Sequence, residues 1–359
     1  MLSLESIIKR VLVTGVTGQD GSHMIDYLLH ITNYEIFGTV RRLSVKNHQN
    51  IEHLKGGNPR FTIVPMDLSD QTSINNVFSS IRPDYCINLA AQSFVAESWN
   101  TPVQTFDINA LGVMRLLEAI RTYTPLCKFY SAGSSEEFGD VSYSPQDLNH
   151  PLKPRSPYGA SKCAARHIVK VYRESYGLFA VHATLFNHEG TRRGEEFITR
   201  KITLGIVRIK HELVELDKDK DKQVTPIRVG NIYAKRDWSD SEDFVRAIWL
   251  MLNKEKPDEY LLSSGETHTV KEFIDIACKY AEIPDLHWEI DEKDELNTKL
   301  YSGNIVILVI DKKFYRPAEV DLLLGDSRET RKKLEWEPET TFDGLVKKMI
   351  EYDILKFSI

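Results

Sequence analysis

The run Arg10-Val11-Leu12-Val13-Thr14 leads straight into Gly15-Val16-Thr17-Gly18-Gln19-Asp20-Gly21, after which Met24, Ile25, Leu28 and Leu29 recur at helical spacing. A β-branched apolar run, a glycine-rich turn and an amphipathic helix in immediate succession leave few folds open. Glycines let the backbone turn tightly and approach a pyrophosphate, whose charge then rests on the helix N-terminus. The spacing is Gly-x-x-Gly-x-x-Gly rather than the commoner Gly-x-Gly-x-x-Gly. The flanking strand and helix make dinucleotide binding the reading it supports.

The second strand, about Glu35 to Val40, ends in Arg41-Arg42. A site for NAD usually places an acidic residue there, whereas an arginine suits a 2′-phosphate, so the expected cofactor is NADP. Further strand-like runs fall at Phe61–Val64, Tyr85–Leu89, Lys128–Ala132, Phe179–Leu185 and Tyr260–Ser263. Helical stretches such as Leu111–Arg121 and Ala160–Tyr176 lie between most of them. This alternation predicts an α/β fold, a doubly wound parallel sheet of the Rossmann type.

After about Asn187 the alternation breaks down, which predicts a smaller, mixed α/β lobe. Residues 1–186 and 231–264, with a helix at Ser239–Asn253, are assigned to the dinucleotide-binding domain. Residues 187–230 and 265–359 are assigned to a substrate-binding domain, with the active site between the two.

A chain of 359 residues can build a core of this size. Its net charge of −6 argues against a nucleic-acid partner, and no apolar run approaches the roughly 20 residues that span a bilayer. Residues 1–9 lack the apolar core of a signal peptide. Cys86, Cys127, Cys163 and Cys278 are scattered without metal-binding spacing and read as reduced residues of a cytoplasmic protein. His188-Glu189 lacks the second histidine of a zinc helix motif, so no metal is expected. The run 217–222 alternates Asp and Lys and reads as a solvated loop.

Chemistry concentrates between Ser134 and Lys162. Tyr158 and Lys162 stand four residues apart, one turn along one helix face. A neighbouring ammonium favours the phenolate, so Lys162 is expected to lower the Tyr158 pKa. Glu136 supplies a second acid/base group, which suits chemistry more elaborate than one hydride transfer. In the second lobe, polar clusters recur at 187–195, Thr199-Arg200-Lys201, Arg236-Asp237-Trp238 and Arg316-Pro317-Ala318-Glu319. Arginine forks and lysine point charges in an acidic chain fit a diphosphate ligand.

Together these segments resemble the extended short-chain dehydrogenase/reductase family and, within it, the GDP-mannose 4,6-dehydratases. The likeness covers nearly the whole chain and includes Gly15 to Ser22, Arg41-Arg42, Asn187-His188-Glu189, Arg192-Arg193-Gly194-Glu195, Thr199-Arg200-Lys201, Arg236-Asp237-Trp238 and Tyr315 to Val320. The resemblance implies an internal redox cycle. Tyr158 takes the O4 proton of the sugar while NADP+ accepts hydride from C4. Glu136 then removes the C5 proton and protonates the departing C6 oxygen, and the hydride returns to C6. Ser134 would hydrogen-bond the charge at O4, and Lys162 would hold the nicotinamide ribose.

The same resemblance assigns cofactor contacts to Gly15, Thr17, Gly18, Gln19, Asp20, Gly21, Arg41, Arg42, Ser44, Asp67, Leu68, Leu89, Ala90, Ala91, Gln92, Ser93, Lys162, His188 and Arg193. GDP-sugar contacts fall to Ser93, Ser134, Glu136, Tyr158, Asn187, Lys201, Arg236, Arg316 and Glu319. A homodimer or homotetramer is implied as well.

The chain departs from the family's common pattern at Ser134, where Thr is usual, at Gly133, at Glu137-Phe138, at Gln104 and at Leu43-Ser44. Small residues at 133 and 134 leave room, as an expectation, for a longer sugar such as a GDP-manno-heptose. Two rivals remain. A 4-keto-sugar reductase or epimerase of the same family needs Tyr158 and Lys162 but has no use for Glu136. A cofactor-sensing regulator needs only the glycine loop.

Overall fold

The computed structural model describes residues 8–42, 48–54, 56–315 and 322–357. Six strands, β1 (Arg10–Thr14), β2 (Glu35–Val40), β3 (Phe61–Pro65), β4 (Tyr85–Asn88), β5 (Lys128–Ala132) and β6 (Ala180–Leu185), join Glu259–Leu262 in one parallel sheet. The order is Glu259–Leu262, β6, β5, β4, β1, β2, β3. Every strand expected from the sequence is present, with ends displaced by no more than one residue.

Alternate residues of β1 serve opposite faces, as strand geometry requires. Val11 and Val13 pack with Met24, Ile25 and Leu28 of α1 (Gln19–Ile31) and with Phe244 and Ile248 of the helix Ser241–Leu252. Leu12 packs on the other face with Phe78, Leu116, Leu117 and Val169. With both faces covered, the strands read as continuous apolar runs instead of alternating ones. Strand order reverses between β1 and β4, so the crevice at their carboxyl ends is where a doubly wound sheet binds its ligand.

Two helices differ from expectation. The helix expected from Ala160 starts at Pro157. Ser156 Oγ accepts a hydrogen bond from Gly159 N–H at 3.0 Å, and proline at the first helical position needs no partner for an N–H it lacks. Tyr158 therefore sits in the first turn. The stretch expected at Leu111–Arg121 forms Gly112–Tyr123, preceded by Pro102–Phe106 and a π-turn at Asp107–Leu111.

A second core joins Ile206 of the helix Ile198–Lys218, Phe273 of Val270–Tyr280, and Met349 and Ile350 of Phe342–Phe357 with Leu308 of a four-stranded sheet. That sheet runs Leu286–Glu289, Lys299–Ser302, Ile305–Ile310, Ile227–Val229. The later segment Arg328–Leu334 returns to the first core, where Leu334 and Trp336 are buried and Trp336 meets Phe244 edge-on at 6.3 Å. Between the lobes, Asn187–Glu189 pairs in parallel with Trp238–Asp240.

Candidate active site

A cleft of about 850 Å³ opens at the switch between β1 and β4. Gly15, Thr17, Gly18, Arg41, Arg42, Asp67, Leu68 and Leu89 to Ser93 line it, as does Gln104. The glycines fit a dinucleotide cradle. Gly15 has φ +69°, and a Cβ there would lie 2.8 Å from both the N and Cα of Ala90. A Cβ on Gly21 would overlap the Gly15 carbonyl, so α1 rests directly on the turn. Thr14 Oγ1 ties the two strand ends together: it donates to Asn88 Oδ1 at 2.7 Å and accepts from Leu89 N–H at 3.1 Å and Ala90 N–H at 3.0 Å. Arg41 and Arg42 are exposed at the end of β2. The Asp67 carboxylate accepts from the N–H and hydroxyl of Ser69 at 2.9 and 2.7 Å.

Beyond the helix N-terminus, Gln19 Nε2 donates to the His188 carbonyl at 3.0 Å, and His188 Nε2 lies 2.8 Å from Asp20 Oδ2. Burial, the largest influence, pushes the Asp20 carboxyl up. His188, Gln19 and Arg193 outweigh it and hold the group well below the usual carboxylate range. Burial likewise pulls the His188 imidazole down, but Asp20 leaves it raised overall. Arg193 pairs with Glu189 at 3.0 Å and lies 3.6 Å over the Phe197 ring.

The catalytic candidates converge at the carboxyl end of β5. Ser134 caps a short 3₁₀ turn, Ser135–Glu137, and its Oγ accepts from Glu136 N–H at 3.3 Å. Its hydroxyl favours the Tyr158 phenolate, whereas the Glu136 carboxylate opposes it. Gly159 makes this contact possible, because a Cβ there would lie 2.5 Å from the Glu136 carbonyl. Glu136 is half-buried, whereas Tyr158 and Lys162 are buried.

The expected lowering of Tyr158 by Lys162 is not what the protein's own groups produce. Burial pushes the Tyr158 phenol up to about 12, with Ser134 and Arg193 opposing it. Lys162 donates to the Ala132 carbonyl at 2.8 Å, and its Nζ stands 5.7 Å from the centre of the Tyr158 ring. Burial brings Lys162 down to about 8, against Glu137 and Asp20.

The second-lobe clusters divide by face. Lys201 is half-buried with its Nζ 3.3 Å from the Phe314 ring centre, whereas Arg200, the next residue around the helix, forms a buried ion pair with Asp353. Successive residues diverge by about 100° on a helix, so both cannot face one phosphate. Arg192 pairs with Asp26 at 2.6 Å, apart from Arg193. Asn187 Oδ1 is buried without a hydrogen-bond partner. Arg236 is buried, and its Nη1 donates to the Lys235 carbonyl at 2.8 Å. Ser44, Arg316 and Glu319 lie outside the described residues.

Two features were not legible in the sequence. Asn109, on the π-turn, accepts from Gln92 N–H at 2.9 Å and donates to Ser161 Oγ at 3.1 Å, tying the cofactor cleft to the helix that carries Tyr158. Its only signal is the break in helical period around it. The space beside Gly133 is also not sugar space. A Cβ there would come within 2.6 Å of Glu137 Oε1 and nearer still to His182 Nε2, so Gly133 makes room for a buried pair and gives no support to a longer sugar.

Among the described residues no group of three or more His, Cys, Asp or Glu is arranged for a metal, and no helix is long and apolar enough to cross a membrane.

Comparison with known proteins agrees with this geometry. The model of the family described as GDP-mannose 4,6 dehydratase matches residues 12–349. The chain is 43% identical over 355 residues to "GDP-mannose 4,6 dehydratase 1" of Arabidopsis thaliana, covering 96% of this chain and 90% of the relative. It is 39% identical to the Homo sapiens GDP-mannose 4,6 dehydratase, with 96% and 91% covered. Among solved structures, it resembles the Thermus thermophilus UDP-glucose 4-epimerase complex with NAD at TM-score 0.75 and 25% identity, over 96% of this chain and 98% of that one.

Proposed function

The chain belongs to the GDP-mannose 4,6-dehydratase family, and from that premise we propose that Ser134, Glu136, Tyr158 and Lys162 carry out the dehydration at the mouth of the β1/β4 cleft. The protein is a hydro-lyase that converts GDP-mannose to its 4-keto-6-deoxy product. It uses a nicotinamide cofactor, as its structural neighbours do. The observation that carries the residue assignment is the meeting of two proton-transfer groups: the first turn of the helix bearing Tyr158 packs directly on the turn bearing Ser134 and Glu136, where a Cβ on Gly159 would lie 2.5 Å from the Glu136 carbonyl.

A nicotinamide cofactor held in the cleft would supply reversible acceptance of hydride. The protein's groups do the rest. Tyr158 takes the proton from O4, and the Ser134 hydroxyl stabilises the oxygen as charge develops. The 4-ketone acidifies C5–H, which Glu136 removes. Glu136 then gives that proton to the leaving oxygen at C6, and a solvent-derived proton relayed through the same carboxyl group later returns to C5 as C6 is reduced. Lys162, anchored on Ala132, orients the cofactor ribose. Gly15, Thr17, Gly18, Gln19, Asp20, Gly21, Asp67, Leu68, Leu89 to Ser93, His188 and Arg193 hold the cofactor, and Asn187, Lys201 and Arg236 hold the GDP-sugar with Ser93. In this reading 1–186 and 231–264 serve the cofactor with His188 and Arg193 added from the second lobe, and 187–230 with 265–359 serve the sugar nucleotide, apart from Arg328–Leu334 and Trp336, which pack in the first core. The test is incubation with GDP-mannose without added reductant, followed by mass spectrometry for loss of one water. Unchanged substrate would refute the assignment.

NADP is the proposed cofactor, supported by the exposed Arg41 and Arg42 lining the cleft. Two charge-assisted contacts to a 2′-phosphate imply that Arg41→Ala with Arg42→Ala weakens NADP roughly 10–100-fold while NAD is little affected. Calorimetric titration of both dinucleotides checks this; equal losses would argue against a phosphate contact.

A homo-oligomer is also proposed. Val103, Phe106, Leu111 and Met114 stand 82%, 40%, 38% and 36% exposed along 102–123, an apolar surface that solvent disfavours. Val103→Glu with Phe106→Glu should shift the sedimenting species to monomer, and an unchanged mass would exclude this face. The buried thiols Cys86, Cys127 and Cys278 fit the proposed cytoplasmic setting.

A further inference from the structure

Directly behind the Ser134 turn lies a charged group that the mechanism above does not use. Glu137 is fully buried. Its Oε1 accepts from Ser134 N–H at 2.8 Å and lies 3.3 Å from His182 Nε2 on β6. Arg166 Nη1 stands 3.9 Å from Oε2. Arg166 in turn donates to Glu259 at 3.1 Å and to the Leu148 carbonyl at 3.1 Å, and Arg173 meets Glu259 at 3.1 Å. A line of charge thus runs from the catalytic turn to the strand Glu259–Leu262 at the sheet edge.

Stability alone does not call for this arrangement, since apolar residues of similar volume commonly replace a buried ion pair without loss. What the carboxylate faces is therefore informative. From the helix Pro157–Tyr176 it is faced by Tyr158, Lys162, Cys163 and Arg166. From β6 it is faced by His182, and Glu136 precedes it on its own turn. Gly133 leaves the space that the Glu137–His182 pair occupies.

We propose that Glu137 is a positioning residue for the dehydration: its carboxylate, held by His182 and Arg166, fixes the Ser134 backbone and so presents the Ser134 hydroxyl toward Tyr158. The inference rests on the roles given above to Ser134, Tyr158 and Lys162. Glu137 touches no reacting atom and acts through these three groups.

Removing the charge has a direction. Glu137 raises both Lys162 and Tyr158, so without it both groups titrate lower. Lys162 already sits at about 8 because of burial, and Asp20 is the other group that supports its charge. The alkaline limb of kcat, where Lys162 loses its proton, therefore moves to lower pH.

The experiment is the pH profile of kcat and KM for GDP-mannose in Glu137→Gln, Glu137→Leu and Glu137→Asp. Arg166 keeps Glu259 in all three, so at least one variant that lacks the charge is expected to fold. The Gln and Leu variants should lose roughly 10–100-fold in kcat through the loosened turn. Their alkaline limbs should fall by about one pH unit, with KM little changed. Glu137→Asp should return the limb to its parental place. Profiles of Gln or Leu variants that superimpose on the parent's would overturn the proposal. If Tyr158→Phe stayed active, the underlying mechanism would fail instead, which separates the two outcomes.

Discussion

Replacing Glu136 with Gln is expected to abolish net loss of water from GDP-mannose while leaving the protein folded. The amide matches the carboxylate in shape, and the bond from residue 136 N–H to Ser134 Oγ belongs to the backbone, so the turn persists. What disappears is the ability to take a proton from C5, give it to the oxygen leaving C6, and return a solvent proton to C5. Each general acid/base role is worth roughly 10²–10⁴-fold, and one carboxylate is given both. Incubation in deuterated water followed by NMR checks this: the variant should introduce no deuterium at C5. Product formation at the parental rate would mean that another group removes the C5 proton.

The second large effect belongs to Tyr158→Phe, expected to lower turnover roughly 10²–10⁴-fold. The ring stays in its buried site, so packing is largely kept, but O4 loses its base. Burial holds the parent's phenol at about 12, so the ionised base grows with pH, and the parent's activity should rise toward alkaline pH until Lys162, at about 8, gives up its charge. Steady-state rates across pH check both statements. A variant within threefold of the parent would remove Tyr158 from the mechanism.

Much of this molecule is legible locally. The glycine turn, the strand runs and the Tyr158/Lys162 spacing each report a backbone requirement or a periodicity that neighbours in sequence satisfy. The start of the helix at Pro157 is local too, in the Ser156 cap and the proline, although the apolar period begins only at Ala160. What sequence does not carry is direction in space. Thr199-Arg200-Lys201 reads as one basic cluster, yet helical geometry turns Arg200 into the second core against Asp353 and leaves Lys201 half-exposed against Phe314. Arg192 and Arg193 part in the same manner.

Tertiary neighbours explain the remaining surprises. Gly133 looks like added room for substrate until His182, on the adjacent strand, is placed beside it. Glu137 reads as an odd replacement for an apolar residue until Arg166 and His182 close around it. Lys162 faces the Ala132 carbonyl, a partner supplied by β5, so the one-turn spacing to Tyr158 fixes proximity without fixing its electrostatic effect. Charge in a buried site is set by everything that packs there, and burial is the largest cause for both groups.

The central claim is that one site oxidises C4, eliminates water across C5 and C6, and restores the same hydrogen at C6. GDP-mannose deuterated at C4 tests it most directly, incubated with the protein without added reductant. The account predicts a product lighter by one water that carries the deuterium on C6. Deuterium retained at C4, or lost to solvent while water is eliminated, would contradict it.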